Sequence, residues 1–128
     1  MKIVIPMAGL GSRFKNVGIE TPKPLIEIDG QTLIEHSVKS LGINGEFIFI
    51  TRQYENNNYN EKLSNILKDI APGCVEIKLD KNQLGAADAA LYAKQYINND
   101  EELIITNCDQ KLEWDSKKFI DFIHRNNC

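Results

Sequence analysis

The sequence predicts an α/β domain built on a doubly wound, mostly parallel sheet in three layers, α/β/α. Three observations carry that prediction: short apolar runs without polar alternation, helical stripes between them, and turn residues that separate the two. KIVIP (2–6), EFIFIT (46–51) and ELIIT (102–106) are such runs. Runs of this kind belong to strands covered on both faces, which requires helices on each side of the sheet. VEIKL (75–79) alternates instead and is expected near an edge.

Between the first two strands, a loop rich in Gly, Ser and Pro runs from Met7 to about Pro24. PLIEIDG (24–30) then offers a brief extended piece closed by Asp29-Gly30. Thr32 and Glu35 have capping-box spacing, so a helix is expected from there to Leu41, burying Leu33, Ile34, Val38 and Leu41. Tyr59, Leu63, Ile66, Leu67 and Ile70 mark a second helix that stops at Pro72-Gly73. Ala87, Ala90, Leu91, Lys94 and Ile97 share one side of a third. Asp115 or Ser116 caps a last helix with Phe119, Ile120 and Ile123 facing inward. Four strands with a closing helix predict a domain that is incomplete at its C-terminus, because open sheets of this type usually continue.

At 128 residues the chain is one domain or part of one. Its 42% hydrophobic and 26% charged residues are ordinary for a globular protein. A net charge of −3 argues against a sequence-independent grip on nucleic acid, which needs many cationic contacts to phosphate. A small anionic ligand needs only a few local cations. Cys74, Cys108 and Cys128 are widely spaced, so neither a zinc site nor a disulfide framework is expected. His36 and His124 are isolated and read as ordinary helix residues. Pro6 and Gly9 interrupt the first apolar run too early for a signal peptide, and no stretch approaches the ~20 apolar residues of a membrane span. The expectation is a cytoplasmic protein without a membrane partner.

In a sheet of this kind, ligands bind beyond the carboxyl ends of the strands. Three stretches fall there: Met7–Arg13, Asp80–Asp88 and Asn107–Asp109. Gly9-Leu10-Gly11 starts like GxGxxG, but Phe14 stands where the third glycine belongs, and no Gly-Lys-Ser/Thr follows. A dinucleotide fingerprint fits badly and a Walker A loop is excluded. Ser12-Arg13 follows instead, and ten residues after Arg13 comes Lys23, between Pro22 and Pro24. The prolines hold the lysine backbone extended. A glycine nest with two preset cations suits a triphosphate tail; the alternative is a turn with solvated cations. Asp109, at the end of an apolar strand, suits Mg²⁺ or else bonds its own backbone in a turn. In NQLGAADAALYAK (82–94), Gly85, Ala86 and Ala87 at a helix start let a flat ring approach the backbone. Taken alone, close packing of a small-residue helix on the sheet is the more frequent explanation.

Together, AGLGSRF (8–14), TPKPL (21–25), IDG (28–30) and LIEH (33–36) resemble the signature of the nucleotide-sugar pyrophosphorylases, the NTP-transferase or sugar-phosphate nucleotidyltransferase family. The resemblance continues through QLGAA (83–87) and NCD (107–109) and so spans essentially the whole chain, in order. It implies a Rossmann-like fold in which residues 1–128 are the N-terminal nucleotide-binding part of a single nucleotidyltransferase domain. Ala8, Gly9, Leu10, Gly11 and Ser12 are implied to wrap the triphosphate, and Arg13 to steady its β- and γ-phosphates. Lys23 is implied to contact the α-phosphate or the incoming phosphate. Gly85 and Ala86 are implied at the base, with Gln83 or Asp80 as its side-chain reader, and Asp109 at Mg²⁺.

The chain departs from the family's spelling at Leu10, where a glycine is usual, and at Ala86, where threonine is. Asp80 stands where the base-reading glutamine is usual, which leaves the base open. A second metal carboxylate, another lysine and the acceptor pocket come from the C-terminal half of the family's domain.

The implied activity is Mg²⁺-dependent transfer of NMP from an NTP to a sugar phosphate, with release of pyrophosphate. CTP stands ahead of UTP or dTTP, and the Pro-Met-Ala-Gly spelling is similar to that of members serving bacterial surface polysaccharides. The acceptor phosphate is already anionic, so no general base is required, in keeping with the isolated histidines. Alternatives are a cytidylyltransferase acting on a non-sugar phosphate such as phosphocholine, and a nucleotide-binding module without catalysis. Self-association into a homo-oligomer is left open.

Overall fold

Ile3, Val4 and Ile5 are completely buried in the first strand, β1 (Lys2–Pro6), which lies inside the sheet and hydrogen-bonds on both sides. The computed structural model describes residues 1–9, 18, 20–80 and 85–127. A single 3-10 turn (Lys23–Leu25) leads into a two-residue hairpin, β2 (Glu27–Ile28) and β3 (Gln31–Thr32). Asp29 and Gly30 turn it with φ of 54° and 80°, the left-handed pair that a tight hairpin demands. Then come α1 (Leu33–Leu41), β4 (Glu46–Arg52), α2 (Asn57–Ile70), β5 (Val75–Leu79), α3 (Ala86–Leu91), α4 (Lys94–Ile97), β6 (Leu103–Ile105) and α5 (Ser116–Arg125). Among the described residues no helix is long and apolar enough to cross a membrane.

The main sheet has the order β5-β4-β1-β6, with every pair parallel. Val4 stands opposite Ile48 on one side and Ile105 on the other. Alternate side chains feed two cores. Ile3, Ile5 and Phe49 meet Ile34, Leu63 and Leu67 of α1 and α2. Val4, Ile48 and Ile50 meet Ala89, Ala90 and Ala93 on the opposite face. The expected three-layer, doubly wound architecture is therefore present, with β5 at an edge as its alternation predicts.

The expected start of α1 is also present. The Thr32 hydroxyl accepts from the Glu35 amide (3.4 Å), and the Glu35 carboxylate accepts from the Thr32 amide (3.1 Å). Gly42, at φ 62°, ends the helix in the left-handed conformation. Asn56 caps α2, and buried Asn60 ties that helix to the chain leaving β4. Asn60 accepts from the Tyr54 amide (2.8 Å) and donates to the Tyr54 carbonyl (2.9 Å).

Three expectations are corrected. Leu33 is only half-buried, and Ser37 takes its place in the buried stripe of α1. The third helix is broken into α3 and α4, and it buries Ala89, Ala90 and Ala93 while Leu91 is 65% exposed. At the break the Tyr92 and Ala93 amides bond three residues back, to Ala89 and Ala90, a tighter turn that brings the small alanines onto β1. No residue of α5 is fully buried, although Asp115 caps it as expected. Phe119 instead lies against Trp114 (ring centroids 4.9 Å apart).

The capping box gives a test. Thr32→Ala is expected to cost about 1 kcal/mol of stability in urea melts. The Thr32 amide holds the Glu35 carboxyl below its ordinary value of 4.5. A lowered folded value stabilises above the unfolded one and is lost as pH falls through it. The stability gap between the parent and Glu35→Gln should thus be fullest above pH 4.5 and close as pH falls below it.

Candidate functional site

The chain winds outward from β1 to β4 and β5, then returns to lay β6 on the other side of β1. This reversal opens a crevice at the carboxyl ends of β1 and β6, where open α/β sheets take their ligands. Leaving β1, the Met7 amide donates to the Ile50 carbonyl (2.8 Å), which prolongs the ladder by one rung. Met7 and Ala8 are buried, so the Ala8 side chain serves the core and only its backbone is available to a ligand. Gly9 is exposed, and a Cβ there would meet nothing within 4 Å. Leu10, Gly11, Ser12, Arg13 and Gln83 lie outside the described residues.

Two of the expected site residues come together. Lys23 Nζ stands 2.5 Å from Asp109 Oδ2, with the two side chains 36% and 28% exposed. Each is held by its own local structure. The Leu25 amide donates to the Pro22 carbonyl (2.9 Å) and the Ile26 amide to the Lys23 carbonyl (3.2 Å). Pro24 and Leu25 are buried, and the turn packs on α1 and α2. Asp109 lies just beyond β6, whose last rung is the Thr106 amide on the Val4 carbonyl (3.1 Å).

The sequence reading missed what fixes the segment after Asp109. The Gln110 amide donates to the Ser37 hydroxyl and the Leu112 amide to the Ser40 hydroxyl, both at 2.9 Å. The Trp114 indole N–H lies 3.1 Å from the Ser40 carbonyl and 3.2 Å from that of Leu41. One side of α1 is thus a bracket for this segment. The only signal in the sequence is two serines three residues apart on a helix, a pattern that solvent exposure explains as well.

Burial pushes the Cys108 thiol up to about 11, with the Asp109 charge adding to it. Burial likewise pushes the Tyr54 phenol up to about 12. Both groups stay neutral near pH 7, so neither serves there as an ionised nucleophile or base.

Gly85 and Ala86 are exposed at the head of α3. A Cβ at Gly85 would meet nothing within 4 Å, so its backbone is open to a flat ligand. Asp80 is exposed just past β5. An open hollow of about 310 Å³, lined in part by Met1, Ile43 and Lys117, lies at the amino end of β1, away from all these residues.

Among the described residues no group of three or more His, Cys, Asp or Glu could hold a metal ion. Asp109 alone fits a cation that takes one protein carboxylate and fills its other positions with phosphate oxygens and water, which is the habit of Mg²⁺.

The sequence profile of the nucleotidyl transferase family matches residues 2–127, and the chain belongs to that family. It is 33% identical over 113 residues to the bifunctional protein GlmU of Methanococcus maripaludis, covering 88% of this chain and 26% of that protein. It is 26% identical over 143 aligned positions to the glucose-1-phosphate cytidylyltransferase of Salmonella typhimurium, covering 95% and 55% respectively. The crystal structure of a nucleoside-diphosphate-sugar pyrophosphorylase from Vibrio cholerae superposes with a TM-score of 0.68 at 27% identity, over 92% of this chain and 52% of that one. The resemblance to nucleotide-sugar pyrophosphorylases is borne out. The chain spans between 26% and 55% of the length of these relatives.

The bracket is testable by amide exchange. Ser37→Ala should speed exchange of the Gln110 amide, and Ser40→Ala that of Leu112, by about fivefold or more, the equivalent of one neutral hydrogen bond. Amides of β5 should keep their rates.

Proposed function

We propose that residues 1–128 form the nucleotide-binding part of a single nucleotidyltransferase domain that moves NMP from an NTP to a sugar phosphate and releases pyrophosphate. The observation that carries this reading is the Lys23 ammonium against the Asp109 carboxylate at the crevice between β1 and β6. A lysine and a carboxylate on preset backbones, with Gly9 exposed just past β1, suit an anionic chain that arrives with a cation. Family membership supports nucleotidyl transfer. The Salmonella relative, a glucose-1-phosphate cytidylyltransferase, supports a sugar phosphate as acceptor and CTP as donor. In this reading the product serves surface polysaccharide synthesis in the cytoplasm.

In the reaction, an oxygen of the acceptor phosphate attacks the α-phosphorus in line. The bond from that phosphorus to the bridging oxygen breaks, and its electron pair leaves with pyrophosphate. The attacking oxygen is already ionised, so no side chain need remove a proton. Catalysis is then positioning and charge neutralisation. Lys23 neutralises the α-phosphoryl oxygens or the incoming phosphate as they close on each other. Arg13, with its planar fork of donors, holds the β- and γ-phosphates and the departing pyrophosphate. Gly9 and Gly11 let backbone amides close on the triphosphate, while Gly85 and Ala86 lie under the base. Asp109 would hold Mg²⁺, which when bound neutralises phosphate charge.

Two measurements test the reading. In pyrophosphate-release assays of the intact enzyme with glucose 1-phosphate, of which residues 1–128 alone can be an inactive fragment, Arg13→Ala or Lys23→Ala should each lower turnover about a hundredfold or more, the scale of a lost donor aimed at developing charge. Turnover within threefold of the parent would remove the residue from its role. In calorimetric titrations with Mg²⁺ and each of CTP, UTP, dTTP, ATP and GTP, CTP should bind most tightly and lose its binding in Arg13→Ala. Turnover with phosphocholine but not with glucose 1-phosphate would reassign the acceptor.

A further inference from the structure

We propose that Lys23 and Asp109 mask one another, so that the crevice accepts its cation and its phosphate chain together and resists either one alone. The inference rests on the function proposed above and adds a rule for how that site fills. The ammonium and the carboxylate are 2.5 Å apart, close enough that each occupies the face its own ligand needs. A divalent cation reaching Asp109 must displace the Lys23 ammonium, and a phosphate oxygen reaching Lys23 must displace the Asp109 carboxylate.

This differs from a loose surface pair, whose long side chains swing apart at little cost. Lys23 stands on a proline-flanked turn buried at Pro24 and Leu25. Asp109 stands between the last rung of β6 and the serine bracket of α1. The partners are sheltered to about a third of their free exposure, which strengthens their attraction over that of fully solvated charges. When one partner takes its ligand, it releases the other. Asp109, on binding a cation, gives up its hold on the Lys23 ammonium; Lys23, on binding phosphate, uncovers the Asp109 carboxylate. The two ligands therefore bind with positive coupling, and by linkage the coupling is equal in both directions.

The test reads binding of each probe alone. Mn²⁺, followed by the loss of its free-ion paramagnetic resonance signal, reports on Asp109. Inorganic tripolyphosphate, titrated calorimetrically in EDTA and again with Mg²⁺, reports on Lys23. Removing a mask should help the opposite ligand. Lys23→Met is expected to tighten Mn²⁺ binding about fivefold, and Asp109→Asn to tighten metal-free tripolyphosphate binding about fivefold, the scale of a partly sheltered ion pair. In Asp109→Asn the gain that Mg²⁺ gives to tripolyphosphate should also shrink towards unity.

If instead the pair merely props the site into shape, each substitution weakens the opposite ligand or leaves it within twofold. Either result overturns the masking while leaving the proposed function intact, provided the parent binds Mn²⁺ and Mg²⁺-tripolyphosphate. If the parent binds neither, the phosphate and metal reading of the crevice fails, and the masking fails with it. Far-ultraviolet circular dichroism of both variants, expected to match the parent, checks that the fold is kept.

Discussion

The site depends on α1. This nine-residue helix packs under the turn that carries Lys23, and its Ser37 and Ser40 hydroxyls catch the backbone just after Asp109. Its last carbonyls take the Trp114 indole, and the carbonyl of its capping glycine takes the Ser116 hydroxyl at 3.0 Å. Two segments far apart in sequence are thus referred to one rigid element. Its rigidity is set locally by the Thr32–Glu35 box at one end and Gly42 at the other. Without the helix, the distance between ammonium and carboxylate would be set by two loops independently.

How much of this was legible in the sequence follows from the range of each interaction. The box at Thr32 and Glu35 is visible because capping couples residues three apart. The strands are visible because burial on both faces removes alternation, and β5 reads as an edge because it keeps it. Lys23 was legible as a lysine held between two prolines and Asp109 as a carboxylate at a strand end, but their contact was not, because it depends on β6 returning beside β1. Ser37 and Ser40 were missed because their partners lie more than seventy residues away. The break between α3 and α4 was hidden for another reason. Periodicity weights large apolar residues and so chose Leu91, whereas close approach to β1 selects the alanines. The reading of Leu10, Gly11, Ser12, Arg13 and Gln83 rests on sequence alone.

The two sides of the sheet are finished to different degrees. Beyond β4, β5 closes the sheet with half-buried residues and a buried Leu79. Beyond β1, β6 is only three residues long and leaves Leu103 and Ile105 40% and 54% exposed. Leu91 of α3 and Phe122 of α5 add exposed apolar surface, at 65% and 61%. The Lys23 turn is sunk into the core at Leu25, while the backbone after Asp109 is held by its hydrogen bonds to Ser37 and Ser40.

If the crevice takes a highly charged ligand, as proposed, it faces a problem before any ligand arrives. Fixed like charges on preset backbones repel one another, and a lone charge sheltered from water is costly. Pairing Lys23 with Asp109 offsets part of both costs, because each charge lies against its opposite. Cys108, next to Asp109 in the chain, is kept neutral near pH 7 by its burial. The same arrangement explains why a lysine and an aspartate, rather than two cations, meet at the junction of β1 and β6. A phosphate chain travelling with a cation is itself a paired object, and it can exchange with a pair at little net change in charge. A bare anion or a bare cation cannot.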